Sequence, residues 1–103
     1  MAIPSRGSSL GLTFEWDEAK ARANVRKHHV TFEEARTVFY DPLSITVPDP
    51  QHSRHEARFV DVGCSSRGKV LVVVYAERGE HIRIISCRSA TRSERKAYEE
   101  SGR

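Results

Sequence analysis

Positive charge is spread unevenly along this chain, and its chemistry starts there. Between Ile82 and Lys96 stand Arg83, Arg88, Arg92, Arg95 and Lys96 against a single acid, Glu94. Lys and Arg number 17 and Asp and Glu 14, so the formal charge is +3 and the rest of the chain is close to balance. A local basic patch on a small domain suits a phosphate-rich or acidic partner. A solvated basic helix face is the plainer alternative. A second group is Lys27-His28, at the end of a cation-rich stretch. Histidine is the side chain that changes charge near neutral pH, although one at a helix end also packs or caps carbonyls. The third group is Glu56 with Arg58, where a polar loop becomes a strand. Loops on a rigid scaffold often carry function. A surface ion pair worth under about 1 kcal/mol is the alternative there.

Other chemistries find little support. His52-x-x-His55 is half of a zinc pattern without the Cys-x-x-Cys that would complete it. Cys64 and Cys87 stand singly in separate strand-like stretches and read as free thiols in a reducing compartment, the cytoplasm. The sequence has no glycine-rich phosphate loop and no serine–histidine–acid motif. No metal and no cofactor is expected. Trp16 and Tyr75 would stack on bases if exposed, but both read more readily as core anchors.

The elements that must position these groups follow from periodicity. The chain has 103 residues and 38% apolar residues, enough for one small domain. Its longest apolar run, Val70 to Ala76, has the length of a strand and not of a membrane span. Residues 1–12 are rich in Ser, Gly and Pro and read as a flexible tail without the pattern of a secretory signal, leaving a single domain over 13–101. Phe14-Glu15-Trp16 is a short extended lead-in. Asp17 caps a helix over Glu18 to His28. Thr31-Phe32-Glu33-Glu34 is a capping box, with Glu34 reaching back, and opens a second helix carrying Phe32, Ala35, Val38 and Phe39 on one face. Asp41-Pro42 stops it.

The period then changes to that of strands: Leu43 to Val47, Arg58 to Cys64, Lys69 to Glu77 and His81 to Arg88. In the last, Ile82 and Ile84 are expected on one side and Arg83, Ile85 and Cys87 on the other. Strict alternation puts Arg83 and Arg88 on opposite faces, so they share a site only if a bulge or the strand end intervenes. Thr91-Arg92-Ser93-Glu94 opens a last helix that ends at Ser101-Gly102. The expected fold is α+β: two N-terminal helices, a four-stranded antiparallel meander and a C-terminal helix, with the helices on one sheet face.

The order and spacing of several stretches resemble the BrnT family of bacterial toxin–antitoxin pairs. They are Phe14-Glu15-Trp16-Asp17, Lys20, Asn24, Lys27-His28, Val30, Phe32-Glu33-Glu34-Ala35, Asp41-Pro42, Glu56, Arg58-Phe59, Gly63, Leu71 to Tyr75, Glu77-Arg78, Ile82 to Ser86, Arg88, Ala90-Thr91, Glu94-Arg95 and Tyr98-Glu99. The resemblance covers about residues 14–100. It implies a RelE-like sheet and a cytoplasmic toxin that cleaves RNA without a metal and stops translation. It also implies a BrnA-like antitoxin with a ribbon-helix-helix fold, which binds operator DNA and neutralises the toxin in a heterotetramer. His29 stands where the family usually has Gly, and Cys87 where it usually has Ala. The first strains the chain if that position needs positive φ.

Metal-free RNA cleavage needs a base for the 2′-hydroxyl, cations for the charge of the phosphorane and an acid for the leaving oxygen. The expected catalytic residues are His28, Arg58, Arg83 and Arg88. Lys27, Arg92 and Glu56 are expected to contact RNA, and Glu56 could also serve as a base. A basic patch binds phosphate whether or not it cuts, so a non-catalytic RNA-binding module and a protein-interaction domain stand as alternatives.

Overall fold

The computed structural model describes residues 13–49 and 56–101. The expected tail over 1–12 and the His52/His55 pair lie outside the described residues. Strand β1 (Thr13–Glu15) leads into helix α1 (Glu18–His28), helix α2 (Phe32–Thr37) and a 3-10 turn (Val38–Tyr40). Strands β2 (Ile45–Pro48), β3 (Ala57–Cys64), β4 (Val70–Arg78) and β5 (His81–Ser89) follow, and helix α3 (Arg92–Ser101) closes the described chain.

The described strands form one five-stranded sheet in the order β1-β5-β4-β3-β2. Strands β2 to β5 make the expected antiparallel meander. The expected count of four strands is corrected: the lead-in is a fifth strand, and it pairs parallel with β5, Thr13 against His81 and Glu15 against Arg83. The sheet is therefore mixed. A three-residue strand has no periodicity of its own, and its partner lies most of the chain away, so local pattern cannot show the pairing.

Local signals account for the helices. The Asp17 side chain accepts the Lys20 amide at the start of α1. Arg26, Lys27 and His28 fill its last turn, where the dipole favours cations. His29 ends it at φ 61°, a left-handed conformation that glycine adopts without penalty. Thr31 caps α2 by accepting the Glu34 amide. The reciprocal half of the expected capping box is not made: the buried Glu34 carboxylate accepts the Ser65 hydroxyl at 2.7 Å. A buried carboxylate requires a donor, and Ser65 from the turn before β4 supplies it.

The core lies between α1/α2 and one face of the sheet. Val30, Phe32, Ala35, Val38 and Phe39 meet Leu71, Val73, Tyr75, Ile82, Ile84 and Cys87. Phe39 stands edge-on to both Phe14 and Tyr75. Tyr75 is fully buried, with its hydroxyl on Asp61 at 3.0 Å, and Trp16 packs edge-on to Phe32. Tyr75 belongs to the core, and the half-buried Trp16 packs against it. Asn24 joins α1 to β5: its amide donates to the Val30 and Cys87 carbonyls and accepts the Cys87 amide.

Cys87 is a correction to the expected alternation. Tyr75 pairs with Ile84 but Val74 pairs with Ser86, so Ile85 is an extra residue, a β-bulge. Beyond the bulge the faces exchange. Cys87 joins Ile82 and Ile84 in the core, where burial pushes its thiol up to about 12. Helix α3 is attached by polar contacts. Arg88 holds Glu94, and the Tyr98 hydroxyl donates to Asp41, whose carboxylate also accepts the Cys64 and Leu43 amides. Burial and this bond to Asp41 raise the Tyr98 phenol. Helix α3 thus crosses the Cys64 end of the sheet.

Candidate anion-binding face

Strand register sets out the site. Arg58 lies opposite Ala76, and Ala76 opposite Arg83, so both arginines belong to the sheet face away from the core. Ala76 is fully buried, and one methyl is all that stands between their positions. Two residues along β4 and β5 on the same face come Arg78 and His81, paired in register across a two-residue turn. Gly79 begins that turn at φ 61°, as a tight hairpin of this kind demands. Glu15 completes the row because β1 places it beside Arg83.

Two carboxylates tie these groups together. Glu56 accepts Arg58 Nε at 3.4 Å and Arg78 Nε at 3.0 Å. Glu15 accepts Arg83 at 3.2 Å and stands 3.8 Å from both Arg78 and His81 Nδ1. Three guanidinium groups thus gather around two carboxylates. Bridging carboxylates fix guanidinium planes. The hydrogen bond from Arg78, and then that from Arg58, hold the Glu56 carboxyl below its usual range. Glu56 is therefore a weak base, and its geometry suits holding the arginines.

Arg88 shares the Arg83 face because the bulge carries it there. The β4 partners of the two arginines, Ala76 and Val72, are four residues apart, about 13 Å along the sheet. Arg88 forms a two-pronged pair with Glu94 at 2.8 and 3.0 Å. Glu94 also accepts the Thr91 amide, and Thr91 accepts the Glu94 amide, a complete capping box. Arg88, with the Thr91 amide, holds the Glu94 carboxyl down at about 2. Arg92 is exposed on the first turn of α3.

His28 and Lys27 stand elsewhere. Asp17, at the start of α1, feels the charge of Arg83, and Asn24 is fixed on Cys87, so α1 runs alongside β5 in the same direction. His28 lies a further helical turn beyond Asn24, about 6 Å on, in the helical layer and away from Arg83. The structure thus brings Arg58, Glu56 and Arg83 into one cluster, puts Arg88 and Arg92 at the other end of the sheet, and leaves His28 and Lys27 beyond the core. Sequence reasoning missed Glu15, Arg78 and His81. The turn signal at Gly79 aligned Arg78 with His81, whereas Glu15 needed the unseen parallel pairing. Among the described residues no group of three or more His, Cys, Asp or Glu could hold a metal ion.

A family profile described as the ribonuclease toxin BrnT of type II toxin–antitoxin systems matches residues 16–94, most of the chain. The chain belongs to the BrnT family. Among curated proteins none matches. The fold is similar to the crystal structure of the Brucella abortus ribonuclease toxin BrnT, with a TM-score of 0.63 and 21% identity over 79% of this chain and 99% of that one. The BrnT match includes Arg58, Arg78, Arg83, Arg88 and Arg92, and Glu15 stands one residue before it. No described helix of this BrnT-family chain is long and apolar enough to cross a membrane.

Proposed function

We propose that this BrnT-family chain is a cytoplasmic, metal-independent endoribonuclease that stops translation until a BrnA-like antitoxin neutralises it. The cluster of Arg58, Arg78 and Arg83 bridged by Glu56 and Glu15 carries this reading. Cleavage through the 2′-hydroxyl places extra negative charge on the phosphorane oxygens, and preorganised guanidinium groups are suited to that charge. Arg58 and Arg83 clamp the reacting phosphate, and Glu56 keeps the guanidinium groups oriented. Arg88 and Arg92 hold the RNA strand farther along the sheet. Lys27 and His28 offer a further basic contact at the end of α1.

The antitoxin is proposed to be a ribbon-helix-helix protein that buries the arginine face, with operator DNA reached only through it and a heterotetramer as the assembly. The experiment is RNA cleavage by the purified chain in EDTA beside Arg83→Ala and Arg88→Ala variants. Cleavage that Arg83→Ala abolishes without loss of fold supports the proposal. Equal cleavage by wild type and Arg83→Ala overturns the site, and RNA binding without cleavage turns the reading to a binding module. A complex with the antitoxin that leaves the arginine face open overturns the neutralisation model.

A further inference from the structure

The arginine cluster contains cations and bridging carboxylates, but a reaction through the 2′-hydroxyl also needs a group that can take up a proton near neutral pH. An arginine does not release its proton in a protein. Glu15 and Glu56 are each shared among cations, and Glu56 is held ionised by Arg78 and Arg58. His28, the histidine that the sequence favours, lies in the helical layer. Its anchor Asn24 meets β5 at Cys87, about 13 Å of strand from Arg83. Among the described histidines, His81 is the one on the arginine face.

The geometry points to His81 as the proton acceptor for the RNA 2′-hydroxyl, and this rests on the cleavage reading above. His81 precedes Arg83 by two positions on β5, so the two side chains share a face. Its Nδ1 is turned towards Glu15 Oε1 at 3.8 Å, and its side chain is 54% exposed. At this distance Glu15 is a charged neighbour on the Nδ1 side and not a hydrogen-bond partner, and Nε2 is the nitrogen left for substrate. The charged groups on the same face around His81 come from three strands: Glu15 on β1, Arg78 on β4 and Arg83 on β5; Glu56 stands behind Arg78, which it holds.

The step balances with water alone. Nε2 takes the 2′-hydroxyl proton as the 2′-oxygen bonds to phosphorus. The bond from phosphorus to the 5′-oxygen breaks, and that oxygen takes a proton from water. The products are a 2′,3′-cyclic phosphate and a 5′-hydroxyl, and His81 returns its proton to the hydroxide left behind. Arg58 and Arg83 hold the phosphorane oxygens throughout.

The test uses a synthetic fluorescein-labelled RNA oligonucleotide and the full chain, with His81→Gln, His81→Ala and Arg83→Ala. Expected is a fall in kcat/KM of about 10²- to 10⁴-fold for His81→Gln at neutral pH. Its RNA affinity by fluorescence anisotropy should stay close to wild type, and its pH profile should lose the acid limb. Added imidazole should restore cleavage by His81→Ala, which a structural role for His81 would not allow. Wild-type rates in His81→Gln, beside an inactive Arg83→Ala, overturn the His81 assignment alone. So does a loss of affinity that accounts for the loss of rate, or a His81→Ala chain that imidazole does not restore. A wild-type chain that leaves the RNA intact overturns the cleavage reading and the His81 role together.

Discussion

Arg83 and Arg88 project from the same face of β5 although five positions separate them. Odd spacing in a regular strand would place one of them in the core, and the extra residue at Ile85 removes that conflict. Deleting Ile85 would seat Ile84 and Ser86 side by side opposite Tyr75 and Val74, and the two arginines would then stand four positions apart, so plain alternation keeps both on this face. Ile82, Ile84 and Cys87 stay in the core, so the deletion should leave the domain folded with a urea midpoint close to wild type. Urea denaturation checks it. Loss of the folded state would show that β5 needs the extra twist of the bulge and not only its change of face.

Glu94 serves Arg88 and the α3 amide at once, and the sign of its pH effect follows. Its carboxyl lies at about 2 in the fold against an ordinary 4.5. A depressed folded value contributes stability that is fully present above the unfolded value and is lost as pH falls through the folded one. Melting temperatures of wild type and Glu94→Gln should therefore separate above pH 4.5 and converge towards pH 2. Curves that run parallel across this window would show that Arg88 and Glu94 do not pair in solution.

Asn24 saturates its amide against Val30 and Cys87 while only 6% exposed. Asn24→Ala leaves a backbone amide and two carbonyls short of partners in the interior. A buried group left unsatisfied costs about 1–3 kcal/mol, so a loss of about 3 kcal/mol is expected in urea unfolding. A loss under about 1 kcal/mol would show that water replaces the side chain.

Much of the fold was legible in the sequence because it was local. Asp17, Thr31 and Thr91 mark helix starts, and the β-branched run at 70–74 marks the central strand. What escaped was long-range. The parallel β1–β5 pairing joins residues most of a chain apart, and the bulge depends on how β5 meets β4. Glu34 was drawn to its own helix end by the capping pattern, whereas burial sent it to Ser65. The candidate site was half legible for the same reason. Arg58 and Arg83 stand in strands whose register follows from the meander. The neighbours that organise them, Glu15 and Arg78, arrive through the sheet edge and the hairpin turn.

His29 is the one non-glycine residue with positive φ among the described residues. A left-handed conformation costs an ordinary residue about 1–2 kcal/mol, and glycine returns part of that as extra freedom in the unfolded chain. His29→Gly should stabilise the domain by about 0.5–1 kcal/mol, read as a higher urea midpoint at unchanged slope. A lower midpoint would show that the imidazole makes contacts worth more than the strain.

The bond between Glu15 and Arg83 spans 68 positions of chain. Its second member is therefore translated 68 positions after its first. The arginine cluster cannot be completed before β5 is made, because β1 pairs with no other described strand. A chain interrupted anywhere before β5 lacks Arg83, the partner of Glu15, and the sheet edge on which β1 settles. Translation that stops before β5 therefore releases a fragment without the assembled face.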